Sequence, residues 1–373
     1  MVGNMKPTHI FAEYVEPKAM EQFEDAMVQP FVVQGALMPD AHAGYTLPIG
    51  AVVSAKDVVV PSYVGYDIGC GMCAAPVMAD KDLIAEKAAA ICRKIYDTVP
   101  VGFHHHTTYR ELGANLAYLE RTSMLQTLLQ ERKGAMQLGT LGSGNHFIEI
   151  GYDETEQLWI IVHSGSRGIG HDCAATYMKL ASGTNKAKEG HYPLEVDSPE
   201  GKNYITDLHF CLEFALENRL RIIQQVDTIL RQENWGYIET ATESLINRNH
   251  NHAELKDGLW IHRKGATHAE LGMMGVIPGN MRDGSFIVRG LGNPDSLWSS
   301  SHGAGRIMGR KEAQRTFGLE AFAETMKGIE AKVQWSTLDE SPMAYKNIFE
   351  VMALQKSLVE VVHHVRPILN IKG

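Results

Sequence analysis

Short glycine-rich loops, placed beside runs of β-forming residues, constrain the fold of this chain more than any other feature of its sequence. The chain contains 35 glycines, and many of them fall in "GYDIGCGM", "GTLGSGNH", "HSGSRGIG", "RGLGNP" and "SHGAGR". Glycine allows tight turns and lets the backbone come close to a ligand. We therefore expect these loops to present side chains to a shared ligand.

Hydrophobic patterning predicts both strands and helices. Runs rich in β-branched and aromatic residues predict strands at 29–37, 49–55, 158–164, 259–264 and 285–290. Apolar residues spaced near 3.6 predict helices at 81–97, 110–135, 205–232, 311–332 and 343–364. Because strands and helices do not alternate regularly, the order favours an α+β fold over a doubly wound sheet. No repeat or linker divides the chain, so we predict one domain over residues 1–373.

Composition excludes several classes of protein. With 44% hydrophobic residues among 373, the chain can bury a substantial core. The longest apolar stretches, such as "LWIIV", are too short to span a membrane, and the N-terminal segment lacks the apolar region of a signal peptide. We therefore expect a cytoplasmic protein without membrane contact. A net charge of -9 argues against nucleic-acid binding over the whole surface but is compatible with a local basic groove.

The cysteines do not form a secreted disulfide pattern. Five cysteines, an odd number spread thinly along the chain, favour metal binding or core packing. Cys70 and Cys73 form one C-x-x-C pair, but no second pair exists, which excludes a structural Cys₄ zinc site. "GSGNH" and "SGSRG" could each hold phosphate, yet neither ends in the Gly-Lys-Ser/Thr of a P-loop.

Side chains that bind transition metals recur beside the glycines. They are one carboxylate, one thiol and several imidazoles, namely Asp67, Cys70, His146, His163, His250 and His302. This mixture suits Zn²⁺, Mn²⁺, Fe²⁺ or Co²⁺, whereas Mg²⁺ prefers oxygen ligands. Any one of these histidines alone is more often a hydrogen-bonding loop residue than a ligand. The prediction of a metal site therefore depends on their coincidence.

The stretch "SSSHGAGR" indicates phosphate chemistry. Small neighbours leave room for a large ligand against His302, and Arg306 suits an anion.

Long motifs in a fixed order resemble the RtcB family of RNA ligases over nearly the whole chain. They are "MPDAHAGYTLPIGAVV", "VGYDIGCGM", "LGTLGSGNHFIEI", "VHSGSRGIG", "HRKGAT", "SFIVRGLGNPDSLWSSSHGAGR", "MAYKNI" and the terminal "IKG". The resemblance implies an α+β fold of the family's own type, with a central mixed β arrangement flanked by helices. It also implies a ligase that uses GTP and Mn²⁺ to join RNA 3′-phosphate or 2′,3′-cyclic phosphate ends to 5′-hydroxyl ends. Its RNA would be a broken tRNA or rRNA, in splicing or repair, and the need for a helper protein stays open.

The resemblance also implies roles for individual residues. His302 would be the nucleophile that takes GMP from GTP. Cys70 would bridge two Mn²⁺ ions, with His146 and His163 completing one site and Asp67 and His250 the other. The GTP-binding residues would be Asn145, Glu149, Pro278, Asn280, Met281, Ser285, His302, Gly303, Gly305, Tyr345 and Lys372. Arg167, Lys264 and Arg306 would face RNA phosphates.

Several departures from the family's pattern are visible. Asn280 stands where many members have Ser or Thr, His252 adds an imidazole near His250, and "MPDAHAGY" differs from the commoner "MPDVH" form. Two other functions stay open. A metal-dependent 2′,3′-cyclic phosphodiesterase without ligation would need the metal ligands but neither His302 nor Lys372. A catalytically silent RNA-binding relative should have lost ligands, whereas all five are present.

Overall fold

Two largely antiparallel sheets dominate this computed structural model, which describes residues 6–241 and 243–373. The strands are β1 (Thr8–Ile10), β2 (Val32–His42), β3 (Ile49–Ala55), β4 (Val58–Val59), β5 (Gly71–Met78), β6 (Phe147–Tyr152), β7 (Leu158–Ser164), β8 (Leu194–Glu195), β9 (Tyr237–Ile238), β10 (Ile246–Asn249), β11 (Asn251–Lys256), β12 (Leu259–Lys264), β13 (Ala266–His268), β14 (Met274–Pro278), β15 (Ser285–Gly290), β16 (Ser299–Ser301), β17 (Glu330–Ala331) and β18 (Val359–Lys372). The helices are α1 (Pro17–Met27), α2 (Pro61–Val64), α3 (Lys81–Thr98), α4 (Ala114–Tyr118), α5 (Ser123–Glu131), α6 (Gly134–Gln137), α7 (Arg167–Ser182), α8 (Pro199–Gln232), α9 (Arg310–Thr316), α10 (Leu319–Thr325) and α11 (Ile348–Leu354).

The larger sheet has the order β10-β5-β7-β6-β18-β15-β14, with β9 paired to β5 and β17 to β18. The smaller sheet has the order β1-β2-β3-β12-β11. Only the β1–β2 and β17–β18 pairs among these are parallel. The predicted α+β class is confirmed, and the prediction that residues 1–373 form one domain stays a prediction.

Alternation along the central strands separates an apolar core from a polar face. In β7, Leu158, Ile160 and Val162 belong to the core that α3 and α8 cover, because successive side chains of a strand point to opposite faces. Ile161 lies on the other face, and His163 follows it there by the same period of two. The strand that holds the core together therefore also presents an imidazole to the opposite side.

Neighbouring strands place further polar side chains on that opposite face. Ile148 and Ile150 of β6 join the core beneath α3 and α8, which turns Glu149 away from it. Leu369 and Ile371 of β18 belong to the same core. Asn370 and Lys372, which alternate with them along the strand, are therefore turned away from it. The polar residues presented in this way by β6 and β18 are Glu149, Asn370 and Lys372, which all line one cavity.

Helix α8 organises the loops at one end of this sheet through two consecutive buried residues. The Asn218 amide bonds to both backbone groups of Thr140 and to Gly165 O, at 3.1–3.2 Å. The Arg219 guanidinium donates to Gly69 O and Ser164 O, each at 2.8 Å. One helical turn thus fixes the glycine-rich loops that flank β5, β6 and β7.

The predicted strands agree well with the structure. Those at 49–55, 158–164, 259–264 and 285–290 are confirmed residue for residue, whereas the first lies at 32–42 and not at 29–37. The predicted helix 81–97 is confirmed as α3, and 205–232 lies within α8.

Three predicted helices are wrong in part. The segment 110–135 forms three short helices, and Lys133, in the left-handed region at φ 50°, separates the last two. The segment 311–332 breaks between α9 and α10 and ends in β17. Only the beginning of 343–364 is helical, because from Val359 onward the chain pairs with β15 and β6 in the centre of the larger sheet. Pairing on both sides outweighs the local helical spacing there.

None of the helices in the described ranges qualifies as a membrane span; even the long α8 carries charged residues along its length.

Candidate active site

The register of the larger sheet brings the predicted metal ligands together. Met72 of β5 and Phe147 of β6 both lie opposite His163 of β7. Cys70 and His146 come directly before the strands β5 and β6, so both reach the same end of the sheet as His163.

Cys70 lies at the centre of the five ligands. Its Sγ is 3.4 Å from His146 Nε2 and 3.2 Å from His163 Nε2. Asp67 Oδ2 lies 3.1 Å from His146 Nε2, and His250 Nε2 lies 3.2 Å from His163 Nε2. Two groups of three therefore share the thiol: Asp67, Cys70 and His146 form one, and Cys70, His163 and His250 form the other.

This grouping differs from the partition implied by the resemblance, which joins His146 to His163 and Asp67 to His250. Which of these residues would share an ion stays a prediction. The backbone N–H of His250 donates to Cys70 O at 2.7 Å, which sets its ring beside His163. His146 instead contacts the carboxylate of Asp67. The shared position of Cys70 agrees with a bridging role.

Hydrogen bonds set the tautomers for metal binding. His146 Nδ1 donates to Leu141 O at 3.0 Å, and His163 Nδ1 donates to Asn145 O at 3.1 Å. Both Nε2 atoms therefore carry free lone pairs that face Cys70. This is the arrangement in which backbone carbonyls orient imidazole ligands.

The ionisation of the cluster also fits a bound cation. Burial and the neighbouring histidines hold the pKa of His163 and of His250 well below the usual value, so both rings are neutral. Burial, and then the charge of Asp67, raises the pKa of the Cys70 thiol well above its usual value. Burial opposes ionisation of Asp67 too, but its contact with His146, and then the charge of Arg167, lower the pKa of Asp67 below the usual range. A cation would stabilise the lone pairs of the neutral imidazoles, which otherwise face one another. It would also lower the pKa of the Cys70 thiol and so favour the thiolate.

Two other groups of potential ligands lack this arrangement. His252, Glu254 and His268 lie together, but Arg263 Nη1 donates to His252 Nε2 at 2.9 Å and also to Glu254. A guanidinium therefore takes the place that a cation would need. The departure at His252 thus belongs to this ion-pair network and not to the cluster around Cys70.

The surface group that contains Asp153 is equally committed to the protein. The carboxylate of Asp153 accepts from Thr155, from Gln157 N and from Trp159 Nε1. These bonds account for its position without a metal.

His302 faces the metal-ligand cluster from the end of β16. Its ring lies 4.9 Å from that of His250, centroid to centroid. His302 Nδ1 is 2.6 Å from Asp40 Oδ2, which also accepts from Gly303 N at 3.3 Å. A carboxylate partner keeps the proton on Nδ1, so Nε2 retains a lone pair for nucleophilic attack.

Glycine is required at two positions around this pair. At Gly265, φ is +63° and a Cβ would lie 3.2 Å from the His302 ring. At Gly305, φ is +76° and a Cβ would lie 2.4 Å from Asp40 O. Side chains at either position would push His302 and Asp40 apart.

A cavity of about 790 Å³ opens beside His302. All the residues predicted to bind GTP line it: Asn145, Glu149, Pro278, Asn280, Met281, Ser285, His302, Gly303, Gly305, Tyr345 and Lys372. Glu149 is 1% exposed and accepts from Ser285 Oγ at 3.2 Å and Asn370 Nδ2 at 3.1 Å. Burial, opposed by these two bonds, raises the pKa of Glu149 to about 8.

A buried carboxylate organises the far wall of the cavity. Glu340 Oε2 accepts from Tyr345 Oη at 2.6 Å and from Lys372 Nζ at 2.8 Å. Arg306 donates to Glu340 Oε1 at 3.2 Å and to Tyr345 Oη at 3.3 Å. Burial opposes ionisation of Glu340, but Lys372 and Arg310 outweigh it and lower its pKa to about 2. These bonds fix the ring of Tyr345.

The residues predicted to contact RNA phosphates differ in their surroundings. Lys264 lines the cavity, with its Nζ 3.6 Å from Glu189. Arg167 lies behind the cluster, where its Nη1 is 3.5 Å from His146 Nδ1. Arg306 is largely engaged by Glu340 and Tyr345, so the geometry gives it a structural task as well. The three RNA contacts stay predictions.

Comparison with known proteins agrees with this geometry. The family model described as "tRNA-splicing ligase RtcB" matches residues 22–127 and 115–373. The chain belongs to the RtcB family. The RNA-splicing ligase RtcB of Escherichia coli strain K12 is 36% identical over 96% of this chain and 95% of its own length. The tRNA-splicing ligase RtcB of Thermococcus kodakarensis is 27% identical, over 96% and 92%.

Sequence reasoning missed several residues of this RtcB site. Asp40 lies within "MPDAHAGY", and the only signal for its role in the sequence is that it is an acidic residue in a motif shared with the family. Arg310 lines the cavity and is 40% exposed, and Glu340 holds Tyr345. Asn280, which departs from the family's Ser or Thr, is among the predicted residues; its side chain accepts from Arg282 N and Asp283 N, each at 2.9 Å, and so caps the local turn.

Proposed function

We propose that this RtcB-family protein is a GTP- and Mn²⁺-dependent RNA ligase. It joins RNA 3′-phosphate or 2′,3′-cyclic phosphate ends to 5′-hydroxyl ends, in the splicing or repair of tRNA or rRNA. The observation that carries the proposal is the position of His302, which has a free Nε2 and faces both the cavity and the cluster around Cys70. The names of the RtcB relatives, which are RNA-splicing and tRNA-splicing ligases, support the same reaction class.

In the first step, His302 attacks GTP. Its Nε2 forms a bond to the α-phosphorus, the bond from that phosphorus to the bridging oxygen breaks, and pyrophosphate leaves. The hydrogen bond to Asp40 holds the ring in the reactive tautomer. Glu149 would accept hydrogen bonds from the N1 and N2 donors of guanine, which adenine lacks. The ring of Tyr345, which Glu340 holds in place, would stack on the purine.

The second and third steps join the RNA. A 3′-phosphate oxygen attacks the guanylyl phosphorus and releases His302, which gives RNA-3′-pp-G. The 5′-hydroxyl then attacks the 3′-phosphorus and GMP leaves with the electron pair of the broken anhydride bond. Without this activation, a 5′-hydroxyl would have to expel a strongly basic oxygen. Lys264 and Arg167 would bind RNA phosphates by charge and not by base identity.

Two Mn²⁺ ions fit the two ligand groups that share Cys70. When bound, they supply positive charge to phosphate oxygens that become more negative during the reaction. The soft thiol and three imidazoles argue against Mg²⁺ as the preferred ion.

The direct test is the covalent intermediate. After incubation with GTP and Mn²⁺, intact-mass spectrometry should show one added GMP, and mild acid should remove it because a phosphoramidate is acid-labile. His302→Ala should gain no GMP, while retaining its metal content as the matched control. An adduct that persists in His302→Ala would place the nucleophile elsewhere.

A phosphodiesterase that only opens 2′,3′-cyclic phosphates is the second candidate, since the ligand cluster is complete without His302. RNA prepared in advance with a 3′-guanylylated end separates the two. The ligase should seal this RNA to a 5′-hydroxyl strand even as His302→Ala, because the missing step has already been done. If the wild-type protein with Mn²⁺ only hydrolyses it, the phosphodiesterase takes the place of the ligase.

A further inference from the structure

The ring of Tyr45 lies in solvent at the edge of the reaction site. It is 78% exposed, yet it lines the same cavity as His302 and Lys264. Exposed aromatic rings are common on protein surfaces and need no explanation by themselves. Here the hydrogen bonds of the loop that carries the ring, and the side chains that line the cavity with it, indicate a binding role for Tyr45.

Hydrogen bonds to backbone atoms hold this loop in one position. From α1, the Gln22 amide donates to Gly44 O at 2.9 Å and accepts from Gly44 N at 3.0 Å. It also donates to Tyr45 O, and Glu16 accepts from Ala43 N. The backbone on the N-terminal side of the ring is therefore fixed, although the ring itself packs against little protein. This is the presentation that a binding surface requires, since less entropy is lost when a ligand stacks on a ring whose backbone is already ordered.

A second aromatic ring and a cation line the same cavity. Tyr66 is half-buried, stacks on His171 at a centroid distance of 4.9 Å, and lines the cavity with Tyr45. The stem of Lys264 passes beside Gly65, the residue before Tyr66. Aromatic rings and a positive charge thus line the cavity that also contains His302.

We propose that Tyr45 binds the terminal nucleobase of the 3′-phosphate RNA strand by stacking, beside the phosphate contact of Lys264. The inference rests on the proposed function, because it takes RNA as the polymer that enters this cavity. Aromatic rings combined with cations are the chemistry of single-stranded nucleic acid binding. Because every base has a π-face, such a site accepts all four bases and requires only that the base be unpaired.

The test uses a short RNA with a 3′-phosphate and 2-aminopurine as its terminal base, with Mn²⁺ and without GTP. Wild-type protein should quench the fluorescence of the base, since stacking on an aromatic ring quenches it. Tyr45→Ala should lose the quenching and bind the RNA roughly 10-fold more weakly. Tyr45→Phe should restore both, because the ring and not the hydroxyl makes the contact. Tyr118→Ala is the matched control, since that ring is 91% exposed on α4 and does not line the cavity.

Three results would overturn the proposal. One is the absence of quenching when wild-type protein binds the probe, and the second is quenching that survives in Tyr45→Ala. The third is an equal loss of affinity by Tyr45→Ala for a matched RNA whose terminal nucleotide is abasic, which would assign the effect to the loop and not to a base. If the wild-type protein quenches the probe but never gains GMP or joins RNA, the ligase proposal fails and the stacking site stands.

Discussion

Guanine binding should depend steeply on pH through Glu149. The carboxyl group is 1% exposed, and burial raises its pKa to about 8 against the bonds from Asn370 and Ser285. At neutral pH it is therefore mostly protonated in the empty cavity. Both guanine donors, N1–H and the N2 amino group, require an ionised acceptor. Binding of guanine should therefore release a proton.

The size of the effect follows from the pKa. Below pH 8, each unit by which the pH falls should weaken the apparent affinity about tenfold, which is about 1.4 kcal/mol of binding free energy. From pH 9 to pH 6, the apparent Kd should therefore rise roughly 100-fold. The affinity should level off near pH 9, because Glu149 is then mostly ionised.

Isothermal titration with guanosine is the suitable assay, since guanosine has no phosphate whose own ionisation would add to the slope. Titrations in buffers of different ionisation enthalpy should show about one proton released per guanosine bound at pH 6. Glu149→Gln is the control: it should bind weakly, release no proton and show a flat profile from pH 6 to 9. The reasoning is refuted if wild-type affinity is independent of pH, or if Glu149→Gln keeps the same slope.

Further outcomes follow from the same structure. Cys70→Ser should lose both Mn²⁺ ions and His163→Ala mainly one, as metal analysis by mass spectrometry would measure; two full equivalents in Cys70→Ser would exclude bridging. Asp40→Asn should slow GMP uptake roughly 100-fold or more by disturbing the His302 tautomer, with guanosine affinity retained; an unchanged rate would exclude this role. Arg306→Met should weaken GTP binding without RNA present, because Tyr345 loses a partner; an effect seen only with RNA would restrict Arg306 to phosphate binding. Finally, since the pKa of Glu149 is raised on folding, its stabilising contribution is present at low pH and lost as the pH rises through about 8. In thermal denaturation of the ligand-free proteins, the stability of Glu149→Gln relative to wild type should therefore be higher at pH 9 than at pH 5.

The sequence predicted the strands more reliably than the helices. The run at 158–164 is bounded by turn residues and buried on both faces, so local pattern and tertiary environment agree. At 343–364 they disagree, because the pairing of Val359–Lys372 with β6 and β15 depends on segments far away in the chain. A local spacing of apolar residues carries no information about such partners.

The site shows the same limit. Individual ligands could be named because each lies in a distinctive motif, and the structure does bring all five together. Their grouping could not be predicted, since it depends on the bond between His250 N and Cys70 O. Asp40 contacts His302 across 262 positions of sequence, which no motif spacing reveals. The sequence gives no sign that Arg306 has an ion-pair partner in the protein, because that partner, Glu340, lies in a segment without a motif.

The buried pair Asn218 and Arg219 has a consequence for the order of assembly. Together they bond to the loops that carry Cys70 and His146 and to the end of β7 beside His163, so α8 holds this part of the site in shape. Metal-templated domains differ, since there the ion itself creates the fold. Here hydrogen bonds within the chain shape this region, so we expect the proposed metal ions to bind a scaffold that is already folded. A chelator should therefore abolish the activity and leave the protein folded, and adding the metal back should restore the activity.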